Sequence, residues 1–552
     1  MKLMKKQYLL VIVILLSNLL FSQEIPFKIV KSNALTDDFK NTNLLVAQKI
    51  ENNELLFIRS AISNKLFEGN SLFIERYSNN LKLIKSFEFV LEYPLHKKNA
   101  TLIGVFYKDS KVTLINMFYD IKEKAYTCSS TTISIIDKEK QQRELFKISN
   151  TDIKKIGGFA LSGISKNEEN LDLISNNEGL FMKTNLEASS YSFSFGFSNK
   201  GEVKTLGDSG IAFIKNESGF AIGLDLNGKK QETLKLYSFD NDFNKTNEFL
   251  FENTDKEKRY HFENIGISTD TKSLFVLSKV TDKAAKSKKD GGEYAYEILK
   301  ITNDKIVSQQ IGIGSHYVKS LKTLFFNDKI YCVGFYSDKN NFKYKGVCKY
   351  SLNQTDLNVT NTNFSEFTEQ FIIDKFGELK DEELKFLKIK NATITKDEEI
   401  ILNAEETYFK STKDNVTRYF NDIVSVKINN LGNIIWARNI NKKQNSNDIF
   451  YNSFNSFSSI SLNNNVYFFI NAKEKIKTIS GNRIEFKDAN LRKNSNLNLI
   501  RIKENGDFDY LEILDNEDNI VPFMVSKGIV IDDSIYFFGC KSKEKQLLKV
   551  SL

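Results

Sequence analysis

Proline, histidine, tryptophan and cysteine are scarce in this 552-residue chain, and the scarcities bear on metal sites, disulfides, sugar platforms and linkers in turn. Its three histidines, His96, His261 and His316, lie far apart and form no His-x-x-x-His pair, so a transition-metal site has no ligand set. Cys128, Cys332, Cys348 and Cys540 make none of the close pairs that hold zinc. Cys332 and Cys348 flank a polar turn at 337–341 almost symmetrically. Two readings stay open for them: a disulfide across a hairpin, or buried free thiols acting as small apolar groups. The single tryptophan, Trp436, sits in "NIIWARN" and reads as a packed strand residue, not as a sugar platform. With 3 prolines and no stretch rich in Pro, Gly or Ser, no linker divides the chain.

Two further absences concern partners. After the N-terminus no apolar run approaches the roughly 20 residues needed to cross a bilayer. Basic residues are not gathered on one arm either. The densest group, Lys283 to Lys289, reads as a solvated hairpin loop, which argues against nucleic acid as a partner.

What is present starts with a leader. Lys2, Lys5 and Lys6 precede an apolar run of about a dozen residues from Tyr8 to Leu20, and the chain turns polar at Phe21-Ser22-Gln23-Glu24. This is the pattern of a cleaved secretory signal, residues 1–22, and no cysteine follows to take a lipid. The protein is expected to be exported: periplasmic, outer-membrane-associated or extracellular. The leader holds three of the +8 formal charges, leaving residues 23–552 near +5.

Those residues repeat. A polar turn, an apolar strand, a charged loop and a second strand recur as "NDKIYCVGFYSDKN" from Asn327, "NNNVYFFINAKEK" from Asn463 and "DDSIYFFGCKSKEK" from Asp532, and more loosely as "DEEIILNAEETYF" from Asp397. Looser copies begin at Glu217 and Thr271, and earlier ones at Ser71 and Lys111. The spacing is roughly 55 to 70 residues, a little longer than common propeller blades. A lone hairpin cannot bury both of its faces, so the copies must pack side by side. Residues 23–552 are therefore expected to form one all-β propeller of seven or eight blades. The chain ends on a strand, "QLLKVSL", which suits a ring whose last blade is completed from the other terminus. Tandem sandwiches would need a longer repeat.

One segment departs from the strand pattern. Phe367, Phe371, Ile372 and Phe376, then Leu384 and Leu387, follow helical spacing near 364–389, with Gly377 expected to split them into two short helices. Such an insert either caps one face of the ring or packs on a blade edge.

From about Tyr331 to Leu552 the chain resembles a family of large exported bacterial β-propeller-like proteins of unassigned function. The order "GFYSDKNNFKYKGV", helical insert, "EEIILNAEETYF", "YFNDIVSVKINNLGNIIWARNINKKQ" and a terminal "IYFFGCKSKEKQLLKVSL" carries the resemblance. It implies the fold and export, and brings no catalytic residues.

No catalytic chemistry is legible. Gly207-Asp208-Ser209-Gly210 is similar to a trypsin-like nucleophile region, but no histidine stands in a matching context and a strand-to-strand turn accounts for it. Asp240, Asp242 and Asn244 start like a calcium loop, yet Lys245 and Phe251 occupy positions that an EF-hand gives to Gly and Glu. An Asx-rich turn explains them. The carboxylate pairs Glu398-Glu399, Glu405-Glu406 and Asp532-Asp533 are adjacent in sequence, and neighbouring strand residues point to opposite faces. No catalytic, cofactor-binding or metal-ligating residue is assigned. The leading expectation is a non-catalytic propeller that binds an envelope protein or a surface glycan. The alternative is a propeller enzyme cleaving polysaccharide or peptide with carboxylates in its central channel. A third reading, an envelope scaffold or part of an export machine, stays open beside them.

Overall fold

A computed structural model describes residues 25–552 except 63–69, 92–95, 150, 153–181, 184–209, 227–231, 283–293, 303–304, 313, 339–342, 381–383, 412–415, 448, 474–475, 489–494 and 518. The leader, Lys283 to Lys289 and Gly207-Asp208-Ser209 lie outside these residues.

Eight antiparallel sheets follow one another along the chain. Blade 1 comprises Asn41–Lys49, Leu55–Ile62, Asn70–Tyr77 and Leu83–Leu91. Blade 2 runs from Lys97–Lys108 to Lys140–Ser149, blade 3 from Gly210–Lys215 to Lys245–Glu252, and blade 4 from Lys258–Ile267 to Ile306–Ile311. Blade 5 runs from Tyr317–Phe326 to Val359–Glu366, blade 6 from Leu387–Ile394 to Ile434–Ile440, and blade 7 from Ser458–Leu462 to Phe508–Leu514. Blade 8 takes Ile529–Ile531, Ser534–Lys541 and Glu544–Ser551 from the C-terminus and its outermost strand, Lys28–Lys31, from the other end of the chain.

The ring follows from where the apolar side chains go. Eight hydrophobic cores lie between consecutive blades, and the series returns from blade 8 to blade 1. In the second strand of blade 5, Ile330 and Cys332 join the core shared with blade 4, while Tyr331, Val333 and Phe335 join the one shared with blade 6. Both faces of the middle strands are thus buried, and their sequences lose the polar alternation of a half-exposed sheet. The fourth strands keep it, as Ile306–Ile311 shows by alternating exposed and half-buried residues. First strands of neighbouring blades run beside each other around the axis.

Close backbone approach fixes a few positions. Gly346 pairs with Tyr336 on one side and Glu366 on the other, and a Cβ there would lie 2.0 Å from the Ser365 carbonyl oxygen. Gly346→Ala is expected to cost about 1–3 kcal/mol, read as a lower urea midpoint. An unchanged midpoint would mean that the two strands can part without loss.

The helical insert is shorter than its spacing implies. One helix, α1, spans Glu369–Phe376: Thr368 caps it by accepting from Phe371 N, and Gly377 ends it at φ +85°. The expected second helix does not form. Leu384 bridges to Tyr344 and Leu387 opens the first strand of blade 6, so strand pairing overrides the helical period. Cys332 and Cys348 sit on neighbouring strands two residues out of step, with Cys348 opposite Gly334 and Cys332 opposite Tyr350. Both are buried free thiols, and burial pushes Cys332 up to about 12.

Candidate functional site on the long-loop face

Antiparallel blades give a propeller two unlike faces. Connections from first to second and from third to fourth strands emerge at one end, and the remaining connections at the other. The first set is built from turns of two to six residues, such as 109–110, 241–244 and 429–433. Asn and Asp close them. Asn429 Oδ1 accepts from Leu431 N and Asn433 N, Asn216 Oδ1 accepts from Ser218 N and Gly219 N, and Asn505 Oδ1 accepts from Asp507 N. Asn327, Asn463, Asn464 and Asp532 supply the left-handed φ values that turns more often take from glycine. The Asp240 turn is one of these: Oδ1 accepts from Asp242 N and Asn244 N, so the carboxylate serves the backbone.

Among the described residues, the connections of more than six residues, those within 367–386, 473–495 and 515–528 among them, fall on the other face. Met182–Lys183 pairs with the innermost strand of blade 3. Over blades 5 to 7 the inserts are tied together by a polar network. Lys442 is fully buried, and its ammonium donates to Glu405 Oε1 (2.8 Å), the Phe420 carbonyl (2.7 Å) and Gln444 Oε1 (3.0 Å). Three donors meet three acceptors, which is what a buried ammonium needs. Burial pushes Lys442 down from its ordinary value, and Glu405 offsets only part of that. Glu405 Oε2 also accepts from Ser456 Oγ at 2.7 Å.

Beside this pair, Lys375 of α1 donates to Asp422 Oδ2 (2.6 Å) and Glu406 Oε2 (2.9 Å). Burial opposes its charge, but the two carboxylates outweigh it and Lys375 ends above its usual value. Asp374 receives Arg438 Nε at 2.5 Å, while Arg438 lies over the Phe508 ring of blade 7. Arg483, on the insert of blade 7, donates to the Asp374 and Lys375 carbonyls and so meets the last turn of α1, where carbonyls lack helical partners. The helix, the long hairpin of blade 6 and the insert of blade 7 therefore form one braced body.

The sequence-adjacent carboxylates take separate partners. A bulge in the third strand of blade 6 lets two residues, Asn421 and Asp422, oppose the Glu405–Thr407 step. Glu405 and Glu406 both enter the network, through Lys442 and Lys375, despite being adjacent. Glu398 and Glu399 instead lie on the tight-turn face, held by Lys329 with Tyr331 and by Lys427 respectively. Asp532 meets Lys49, and Asp533 accepts from Ser534. Trp436 is buried between blades 6 and 7 and donates to the Glu504 carbonyl. Lys442, Asp374 and Arg438 were not singled out from sequence. Asp374 lies on α1, and Arg438 and Lys442 stand in strands that mix polar with apolar residues, so no local pattern marks them.

The histidines stay separate. His96 faces Asp120, His261 lies on the first strand of blade 4, and His316 Nδ1 meets Asp338 Oδ1 at 3.1 Å between the Tyr336 and Phe364 rings. Among the described residues no group of three or more His, Cys, Asp or Glu is placed to hold a metal, and no helix is long and apolar enough to cross a membrane.

No protein-family model and no curated protein sequence matches the chain. Among solved structures it is similar to the β-propeller domain of Nup133 from Vanderwaltozyma polyspora, at 10% identity and TM-score 0.39, covering 96% of this chain and 99% of that one. It is also similar to the β-propeller domain of the Trilobed protease from Pyrococcus furiosus, at 10% identity and TM-score 0.32, covering 87% and 98%. A third is the polysaccharide lyase Uly1, at 11% identity and TM-score 0.32, covering 82% and 90%.

Proposed function

We propose that this chain is an exported, non-catalytic propeller that binds an envelope protein or a surface glycan through its long-loop face. The observation that carries the reading is the asymmetry of the ring among the described residues: one face is closed by short Asx turns, and the other bears the long inserts over blades 5 to 7, tied together by buried ion pairs. Three of the buried carboxylates are matched by cations, two of them within that bracing. Glu405 is matched by Lys442, Asp374 by Arg438 and Glu75 by Arg59, each at hydrogen-bond distance. In the catalytic alternative a carboxylate of the central channel would have to be free. Glu263, at the bulge in the first strand of blade 4, already accepts from the Tyr296 hydroxyl and Leu321 N at 3.4 Å each.

The test is a pull-down with tagged protein from residue 23 onward, against an envelope extract of its own source, with mass spectrometry of what is retained. A stoichiometric partner whose binding slows amide exchange in 367–386 and 473–495 is the expected result. Protection confined to the tight-turn face, or turnover on a panel of hydrolase substrates, would overturn the proposal.

A further inference from the structure

The second and third strands of blade 6, Ile400–Ser411 and Val416–Ile428, are the longest hairpin arms of the ring, and they outrun their own blade. Pairing with the first strand stops at Leu387 opposite Glu406, so 407–411 project beyond it. On this projection three aromatic rings stand in a row across adjacent segments. Tyr408 and Tyr419 are cross-strand partners with rings parallel to within 11° and centroids 4.8 Å apart, and Phe386 lies 5.3 Å from Tyr408.

Phe386 is the telling member. Its φ is +60°, a region that bulky side chains avoid, and its carbonyl is held there by Thr407 N at 3.0 Å. Such a conformation is strained and persists only where its surroundings hold it. A phenyl ring normally offsets such a cost by burial, but this one is 53% exposed. Exposed cations flank the row. Lys410 Nζ sits 5.3 Å from the Tyr419 ring and 5.7 Å from the Tyr408 ring, and Lys385 precedes Phe386. Among the described residues, neither lysine has a carboxylate at ion-pair distance.

We infer that this ridge, Phe386, Tyr408 and Tyr419 with Lys410 and Lys385, binds an anionic polysaccharide. Aromatic rings offer apolar faces to the C–H surface of a sugar, and unpaired ammonium groups beside them match carboxylate or sulfate substituents. An acidic protein segment would satisfy the cations too. However, three partly exposed rings, each able to bury at most about 150–250 Å², fall short of the roughly 800 Å² per partner of a stable protein interface. A polymer that repeats one modest contact along its length suits a narrow ridge better. The inference rests on the long-loop reading and gives it a ligand class.

Affinity electrophoresis tests it, with polygalacturonate, alginate and dextran sulfate as anionic probes and dextran as the neutral one. The full mature chain should be retarded by at least one anionic probe and not by dextran, with retardation falling as salt rises. Lys410→Glu and Phe386→Ala should each weaken binding about tenfold or more, while Tyr510→Ala, on the outer strand of blade 7, should not. Thermal melts of all variants accompany the gels. If Phe386→Ala melts early, Lys410→Glu, at an exposed position, decides alone. No retardation by any anionic probe, equal retardation by dextran, or unchanged binding in Lys410→Glu overturns the inference. The long-loop reading fails separately, when an envelope partner protects only the tight-turn face.

Discussion

Removal of residues 24–33 is expected to open the ring and abolish its cooperative melt. Those residues look peripheral, since the ordered strand among them is only Lys28–Lys31. Yet Ile25 is buried in the core between blades 7 and 8, and Phe27 and Ile29 pack against it. Val30 packs on the next core, between blades 8 and 1. The strand pairs Lys28 with Ser551 through Lys31 with Leu548, and Ser32 continues the register by exchanging bonds with Leu547 and accepting from Gln546. Burial of four such side chains contributes on the order of 5 kcal/mol or more, against a total stability of about 5–15 kcal/mol for a typical fold. Loss of the strand also bares the outer edge of Glu544–Ser551, an unpaired edge that invites aggregation. Circular dichroism melts and dye binding to exposed apolar surface read the result. A truncated chain that melts at the full-length midpoint would show that the closure is dispensable.

The second large effect is expected at Lys442. Replacing it by Met leaves buried Glu405 with the Ser456 and Thr407 hydroxyls and Lys390 at 3.9 Å, and breaking a buried pair from one side costs about 3–5 kcal/mol. Replacing both, Lys442→Met with Glu405→Leu, removes the stranded charge along with its partner and should recover much of the loss. Urea unfolding of the two single variants and the double one forms a cycle whose coupling term isolates the pair. A single variant as stable as the parent would mean that the network is solvated. A double variant as weak as the two losses added would mean that each side chain acts through packing alone.

Much of the architecture could be read from the chain because it rests on local, repeated chemistry. The phrase at Asn327 marks a turn, the second strand and the next connection of blade 5, and its copies at Asp397, Asn463 and Asp532 mark the same places in blades 6, 7 and 8. Blade 1 was harder. Its recognisable phrase, from Ser71, is a third strand, because the second, Leu55–Ile62, carries Arg59 and Ser60 in an otherwise apolar run. That arginine is there to hold the closure: it donates to Asp37 at 2.6 Å and to Glu75 at 3.0 Å, and lies over Phe73. Lys545 completes the latch by donating to the carbonyls of Phe39 and Ser542. Partners about 500 residues apart leave no local mark on either end of the chain.

The sequence by itself determined the all-β class, the hairpin repeat, the turn chemistry of one face and a terminal strand in need of a partner. These follow from side-chain periodicity and from what Asn, Asp and Gly permit the backbone, and both act over a few residues. Only the tertiary structure decided the blade number of eight, the one helix of the 364–389 insert where two were expected, and the gathering of Asp374, Glu405, Asp422, Arg438 and Lys442 from separate segments. A strand bulge, a helix stop at Gly377 and a buried ammonium acquire meaning only when non-local strands supply the missing acceptors and carboxylates. The same holds for Phe386: its strained backbone and exposed ring become a feature only once Tyr408 and Tyr419 stand beside it.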